Sequence, residues 1–319
     1  MIPLLAKKGA EANAERAAAA TPAETADEKL GEKLEEYLTG CLNNYARSRM
    51  RDDSDRYFRA VDEKKGPVLG KEPSLSKVDL ADVEKCVAAV AKGKTMQPAL
   101  PDLDAAVAAY ADGIKAAAPQ VNDAHKYYDQ KDFRDDKLAK GQALHPQLVS
   151  HFHNFDKLSA SMSAAFVKHK DPLDIRELDR LKAKGPAVVY VTKRSIMDAA
   201  KFSKAVDVSS VTEYFALPAT DLQAKIDVLS QDHAELQKII EAKGKELEGS
   251  FGVELYASSL EDFVKEAKEV TRRIRDKKTF TNSELERLGT SAGWMTHGSP
   301  DSLESKHKSL VGNYNRMRL

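Results

Sequence analysis

The fold class is decided by residues 220–247, which read TDLQAKIDVLSQDHAELQKIIEAKGKEL. Apolar residues recur here in alternating steps of four and three, as they do on one face of an α-helix, and only His233 and Lys243 interrupt the seam. A capping box, Thr220-x-x-Gln223, marks the start of the helix. The stretch therefore predicts a long helix of coiled-coil type, with His233 as a buried polar residue that sets the register.

Helical periodicity continues on both sides of this stretch. The run Val188-Val189-Tyr190-Val191 is the only one typical of a strand, and it lies between helical patterns, so we interpret it as helical as well. A Ser299-Pro300 pair supplies a helix cap followed by proline at the first helical position. The spacing of apolar residues predicts further helices over roughly 26–49, 78–92, 102–129 and 134–169. The sequence thus predicts an all-α fold, an elongated antiparallel bundle of long, coiled-coil-like helices.

The charge balance of the chain excludes one broad class of function. The 319 residues include 50 Lys plus Arg and 50 Asp plus Glu, so the formal net charge is zero. Proteins that bind nucleic acid usually carry a basic surplus, and we therefore expect no nucleic-acid partner. No window approaches the ~20 apolar residues of a transmembrane helix.

The first 26 residues differ in composition from the rest. After the short apolar opening they consist mainly of Ala, Glu, Lys and Thr, with almost nothing to bury. We therefore expect a disordered tether over residues 1–26 and a helical bundle domain over residues 27–319. The domain is predicted as one bundle or as two sub-bundles that meet near residues 170–190, where Pro172 and Gly185-Pro186 interrupt the pattern.

Two cysteines, Cys41 and Cys86, leave two interpretations open. They could form one disulfide in an oxidising compartment, or remain two small, half-buried apolar residues. The letters Leu38-Thr39-Gly40-Cys41 match the lipid-attachment motif of bacterial lipoproteins, but such a motif follows an apolar segment, and six of the ten residues before it are charged. The spacing around Cys41 favours one face of a helix instead.

No pattern in the chain predicts catalysis or a cofactor. Residues 289–293 fit the G-x-S-x-G motif of serine hydrolases, yet a helical pattern precedes them where that motif needs a strand. His151 and His153 would point to different sides of one helix, so they cannot bind one metal together. We therefore expect no enzyme activity, no cofactor and no metal.

An acidic cluster lies between the two central helices. It contains Asp129, Asp132, Asp135 and Asp136, with cations interleaved. A calcium loop of the EF-hand type needs a central Gly and a final Glu, and neither is in place. We interpret the cluster as a corner between helices that is held by caps and ion pairs.

The same segment carries a longer signature. It reads YYDQKDFRDDK over residues 127–137, and is followed by Gly141, Leu144-His145-Pro146 and Phe155. This signature resembles that of the YiiG-like family of bacterial envelope lipoproteins, a domain of unknown function. Weaker matches extend the resemblance over nearly the whole chain, at Tyr37–Tyr45, Asp62–Pro67, Leu100–Tyr110 and Asn313–Asn315.

The resemblance implies a periplasm-facing helical protein of a Gram-negative bacterium, with no established activity. Membrane attachment is expected only through a lipid anchor of the full-length precursor, which this chain lacks. An envelope compartment would permit a Cys41–Cys86 bridge, worth ~3–4 kcal/mol for a loop of this length. The signature residues expected at the corner are Tyr127, Tyr128, Asp132, Asp135, Asp136, Gly141 and His145.

Three functions fit these observations. The first is a non-catalytic envelope protein whose helices serve an unknown protein partner as an interaction or structural module. The second is a periplasmic protein that binds a ligand or metal in a pocket near Tyr128 and His145. The third is a lipoprotein of the toxin-immunity type.

Overall fold

The structure, a computed structural model, describes residues 22–208, 210–242, 247, 250–290 and 292–319. Eleven α-helices hold most of these residues. The described residues form no strand, only two isolated bridges that join Asp62 to Gly66 and Phe251 to Arg318. The all-α prediction is confirmed, and the run at residues 188–191 is helical as expected.

The helices are numbered here in chain order. They are α1 (Pro22–Tyr37), α2 (Tyr45–Ala60), α3 (Leu80–Thr95), α4 (Pro101–Asp129), α5 (Ala139–Lys184), α6 (Ala187–Ala205), α7 (Val211–Ala216), α8 (Ala219–Ala242), α9 (Val253–Arg275), α10 (Asn282–Arg287) and α11 (Pro300–Arg316). A π-helical turn, Leu38–Leu42, follows α1, and two short 3₁₀ turns lie at Asp132–Arg134 and Gly293–Met295. Of the described helices, none has the length and apolar composition needed to cross a bilayer.

The chain divides into two compact units at Asp174/Ile175, a point inside α5. Unit 1 is the part up to Asp174 and unit 2 is Ile175–Leu319. Each has its own core of buried apolar side chains. The expected tether lies outside the described residues for positions 1–21. Residues 22–26 are helical, because Pro22 is pre-organised for a first helical position and Glu24 favours a helix N-terminus.

In unit 1, α3 packs against α1, α2, α4 and the π-helical turn. The core is rich in tyrosine and phenylalanine, including Tyr57, Tyr110 and Phe152, all almost fully buried. Cys41 in the π-helical turn and Cys86 in α3 form a disulfide, with their Cα atoms 4.6 Å apart. The bridge therefore joins the π-helical turn after α1 to α3.

The helix predicted over residues 26–49 is broken near its middle. The π-helical turn ends α1, and Asn44 then caps α2 by accepting a hydrogen bond from the Ala46 amide at 2.8 Å. Gly40 lies so close to α3 that a Cβ there would fall 2.2 Å from Cβ of Ala89. Packing against α3 thus decides the break, and that contact is invisible to periodicity along one helix.

Helix α5 is longer than the sequence predicts. It begins at Ala139 and continues through Pro146 and Pro172 to Lys184, whereas we expected it to end near ~169. A proline inside a helix removes one backbone hydrogen bond and its ring clashes with the carbonyl four residues earlier, so the helix continues only where other contacts compensate. Leu173, directly after Pro172, is buried in the unit 1 core, and this packing favours continuation.

In unit 2, four helices form a closed ring of contacts. Helix α6 packs on α8, α8 on α9, α9 on α11, and α11 on α6. The apolar seam of α8 is buried as predicted at Leu222, Ile226, Leu229 and Leu236. The expectation for His233 is wrong: it is only partly buried, and Asp232 is the buried polar residue of this helix. The coiled-coil character expected of the long helices stays a prediction.

Candidate functional site

The signature residues lie at the corner between α4 and α5, within unit 1. Helix α4 ends at Asp129, and the chain turns back through residues 130–138 before α5 begins. Lys131, Lys137 and Leu138 have φ values of 62°, 50° and 70°. A left-handed backbone is unfavourable for residues other than glycine, so neighbouring contacts must stabilise this turn.

Asp136 stabilises the start of α5. One carboxylate oxygen accepts a hydrogen bond from the Lys140 amide at 2.9 Å, and the other accepts one from the Tyr127 hydroxyl at 2.7 Å. The backbone amide of Lys140 is the main reason why the pKa of Asp136 lies below its usual range. Because α5 begins with unpaired amides, a carboxylate at this position stabilises the helix.

Gly141 allows the two tyrosines to pack on the first turn of α5. A Cβ at this position would lie 2.9 Å from the hydroxyl oxygen of Tyr128 and 3.3 Å from the ring of Tyr127. The two rings contact each other edge to face, with centroids 5.0 Å apart. Burial raises the pKa of Tyr127 to about 12 and that of Tyr128 further. Both hydroxyls therefore stay protonated at neutral pH.

His145 is buried one turn further along α5. Its Nδ1 lies 2.8 Å from the Tyr57 hydroxyl, and its Nε2 lies 2.9 Å from the carbonyl oxygen of Glu63. Since a carbonyl only accepts, the hydrogen-bond network assigns the ring hydrogen to Nε2, and Nδ1 accepts from Tyr57. Both ring nitrogens are thus engaged in joining α5 to α2 and to the loop after it.

The structure separates the seven signature residues into three groups. Four of them form one cluster of contacts, namely Tyr127, Tyr128, Asp136 and Gly141. His145 instead binds Tyr57 and the backbone of Glu63. Asp132 and Asp135 are exposed on the outside of the turn. The corner is therefore a packed joint, with two of its carboxylates facing solvent.

Polar side chains on α4 fix the loop that connects α2 to α3, a feature not predicted from the sequence. The Asn122 side chain pairs with the backbone of Val78, with its oxygen 2.7 Å from the amide and its nitrogen 2.9 Å from the carbonyl. His125 binds the carbonyl oxygen of Leu75 at 2.9 Å. Polar residues spaced by three on a helix that otherwise buries apolar residues were the available signal.

Metal ligands do not converge in the part of the chain that is described. No group of three or more His, Cys, Asp or Glu side chains there is arranged to hold a metal ion. The centre of the G-x-S-x-G motif, Ser291, lies outside the described residues.

Unit 2 carries two surface features of a different kind. A cleft of about 310 Å³ is lined mainly by apolar side chains, among them Val211, Tyr214 and Phe280. Trp294 and Met295 lie in the 3₁₀ turn before α11, with 57 % and 45 % of their surface exposed. Trp294 is the only tryptophan of the chain.

Two units of helices, with a tyrosine-rich corner in the first, define an all-α protein. The chain belongs to the family described as "Protein of unknown function (DUF3829)", which it matches over residues 28–316. It is similar to "Uncharacterized protein YiiG" of Escherichia coli (strain K12), with 26 % identity over 245 residues. The match covers 76 % of this chain and 65 % of that relative. No solved structure matches. The resemblance to a YiiG-like domain of unknown function is confirmed.

Proposed function

We propose that this chain is a non-catalytic protein of the bacterial cell envelope that faces the periplasm and presents its helices to a protein partner. In this proposal the full-length precursor is held at the membrane by a lipid anchor. The disulfide between Cys41 and Cys86 is the observation that carries the proposed location. Disulfides persist in the periplasm and are rare in the cytosol, where thiols are kept reduced.

Unit 2 offers the surface that best supports partner binding. Trp294 and Met295 are adjacent, exposed and held by a short 3₁₀ turn. Tryptophan and methionine are enriched at the centres of protein interfaces, and tryptophan is among the commonest residues of high binding energy there. We infer that this pair is part of the contact with the partner.

Cross-linking in intact cells, followed by affinity purification under non-reducing conditions, tests both parts of the proposal. The proposal expects an oxidised chain in the periplasmic or envelope fraction and one partner in stoichiometric amount. Trp294→Ala should lower the recovery of this partner. Phe251→Ala is the matched control, because Phe251 is also exposed in unit 2, at 69 %.

Two results would contradict the proposal. Reduced cysteines in a cytosolic fraction would remove the proposed location. Equal recovery of the partner with wild type and Trp294→Ala would remove the proposed surface.

The cleft in unit 2 favours ligand binding as a second candidate function. Its volume, about 310 Å³, is at the lower end of the range of small-molecule sites. The region near Tyr128 and His145 is a weaker candidate, because both nitrogens of His145 are already engaged.

A fluorescent apolar amine, N-phenyl-1-naphthylamine, is a suitable probe of the cleft. Val211→Asp places a charge in the lining and should abolish binding. Val167→Asp, at another partly exposed valine, should leave binding unchanged. Loss of binding in both variants, or in neither, would reject the cleft as the site.

A further inference from the structure

Among the described residues of unit 2, Asp232 is the most deeply buried carboxylate. It lies on α8, at the contact with α6, and is 1 % exposed. One of its oxygens accepts a hydrogen bond from Nε of Arg194 on α6 at 2.7 Å. The other oxygen, Oδ2, is buried without a hydrogen-bond partner. A buried charge with an unsatisfied oxygen is costly, so this site favours the neutral acid.

The position of Arg194 means that Asp232 can be protonated while the hydrogen bond between the two residues is kept, although the charge attraction between them is lost. The Arg194 guanidinium also binds Glu235 at 2.6 Å, and that residue is half exposed. The Arg194 guanidinium also lies over the ring of Tyr190, and its third nitrogen is 3.2 Å from the Tyr190 hydroxyl. A proton on Oδ2 leaves the bond from Arg194 to the other oxygen in place, and Glu235 still balances the positive charge.

We propose that Asp232 and Arg194 form a pH-sensitive contact between α6 and α8, which tightens when Asp232 takes up a proton in mild acid. The device couples the packing of unit 2 to the pH of the compartment that holds the protein. It depends on a charge that is buried at a helix contact and on an arginine that retains a second carboxylate.

The charged groups around Asp232 shift its pKa in opposite directions. Arg194 and Asp198 come from α6, Glu235 comes from α8 itself, and Tyr256 faces the site from α9. Asp198 is paired with Lys201. Burial raises the pKa of Asp232 to about 6, against the lowering effect of Arg194, and the two neighbouring carboxylates raise it slightly more.

The raised pKa of Asp232 decides whether the contact between α6 and α8 is more stable at low or at high pH. The folded state binds the proton more tightly than the unfolded chain, whose carboxyl has its ordinary pKa near ~4. The stabilisation is therefore complete below that value and is lost as the pH rises through about 6. Between pH 7 and pH 5 the opening of this contact should become less favourable by about tenfold.

The full-length chain labelled with ¹³C at the aspartate carboxyls tests the proton uptake directly. We expect one resonance with a midpoint near pH 6 that disappears in Asp232→Asn. In Glu235→Gln the same resonance should titrate at lower pH, because Arg194 then pairs with Asp232 alone. Titration of every aspartate below about pH 4.5 would overturn the proposal.

Hydrogen exchange of peptides from α6 and α8 tests the consequence for packing. After correction for the chemical exchange rate, protection in wild type should rise about tenfold from pH 7 to pH 5. Asp232→Asn should abolish this rise, and Asp227→Asn, an exposed position on α8, should retain it. A rise of wild-type size in Asp232→Asn would overturn the proposal.

Discussion

Lys33 lies in an environment that is unusual for a lysine. Its side chain is completely buried, its Nζ lies 2.9 Å from the Asp104 carboxylate, and it donates to the Pro98 carbonyl at 3.1 Å. The Tyr37 hydroxyl donates to the same carboxylate at 2.6 Å. A buried ion pair adds little stability over an apolar pair, but loss of one partner leaves an uncompensated charge.

We therefore expect Lys33→Ala to lower the free energy of unfolding by about 3–5 kcal/mol. Lys92→Ala is the control, because Lys92 pairs with Glu36 at the surface and should cost less than about 1 kcal/mol. Urea unfolding followed by circular dichroism measures both. Equal losses would show that the burial of Lys33 is unimportant.

Asp136 and Asp135 are neighbours with different roles. The first binds the amide of Lys140 at the start of α5, and the second is exposed on the turn. Asp136→Ala should lower the Tm by a few degrees, since a helix cap is lost. Asp135→Ala should leave the Tm unchanged in the same calorimeter scan. A fall of similar size in both variants would contradict the assignment of the cap to Asp136.

At the scale of elements, two glycines inside helices allow the effect of close packing to be distinguished from that of helix propensity. Gly31 in α1 and Gly141 in α5 both lie inside helices, where alanine is intrinsically favoured by about 0.5–1 kcal/mol. A Cβ at Gly31 would have its nearest neighbour at 3.9 Å, whereas one at Gly141 would meet the Tyr128 hydroxyl at 2.9 Å. The same substitution should therefore have opposite effects.

Gly31→Ala should stabilise the protein by about 0.5–1 kcal/mol, and Gly141→Ala should destabilise it by about 1–3 kcal/mol through overpacking. Chemical denaturation of the two variants in parallel checks the signs. Stabilisation by Gly141→Ala would mean that the tyrosine corner can relax at no cost, and the proposed packing of Tyr127 and Tyr128 would then be wrong.

At the scale of the whole molecule, the disulfide and the two separate cores matter most. The Cys41–Cys86 bridge closes a separation of 45 residues wholly within unit 1. A cross-link of this kind stabilises mainly by restricting the unfolded chain. The apolar core of unit 2 contains neither cysteine.

We expect reduction of the bridge to lower the free energy of unfolding of unit 1 by about 4 kcal/mol. Urea unfolding with and without dithiothreitol, followed by circular dichroism, measures this loss. The double variant Cys41→Ala, Cys86→Ala should be as unstable as the reduced wild type and insensitive to dithiothreitol. An unchanged unfolding curve after complete reduction would contradict the expected stabilisation.

The sequence by itself determined the all-α fold, the apolar face of α8, the Ser299 cap of α11 and the family signature at the corner. These features repeat along the chain or lie within one turn of a helix, so the pattern of residues over a short stretch of sequence reveals them. It also placed Asp136 at the corner, but gave no reason to separate it from Asp135.

Only the tertiary structure decided which polar residue of α8 is buried. His233 and Asp232 are adjacent, so both fit the edge of the same apolar face, and the position of Arg194 on α6 selects Asp232. The break after α1 depends likewise on the approach of Gly40 to Ala89, and the cysteine pairing on the contact between the π-helical turn and α3. In each case the deciding contact joins residues distant in sequence, and periodicity along one helix carries no information about the partner that covers it.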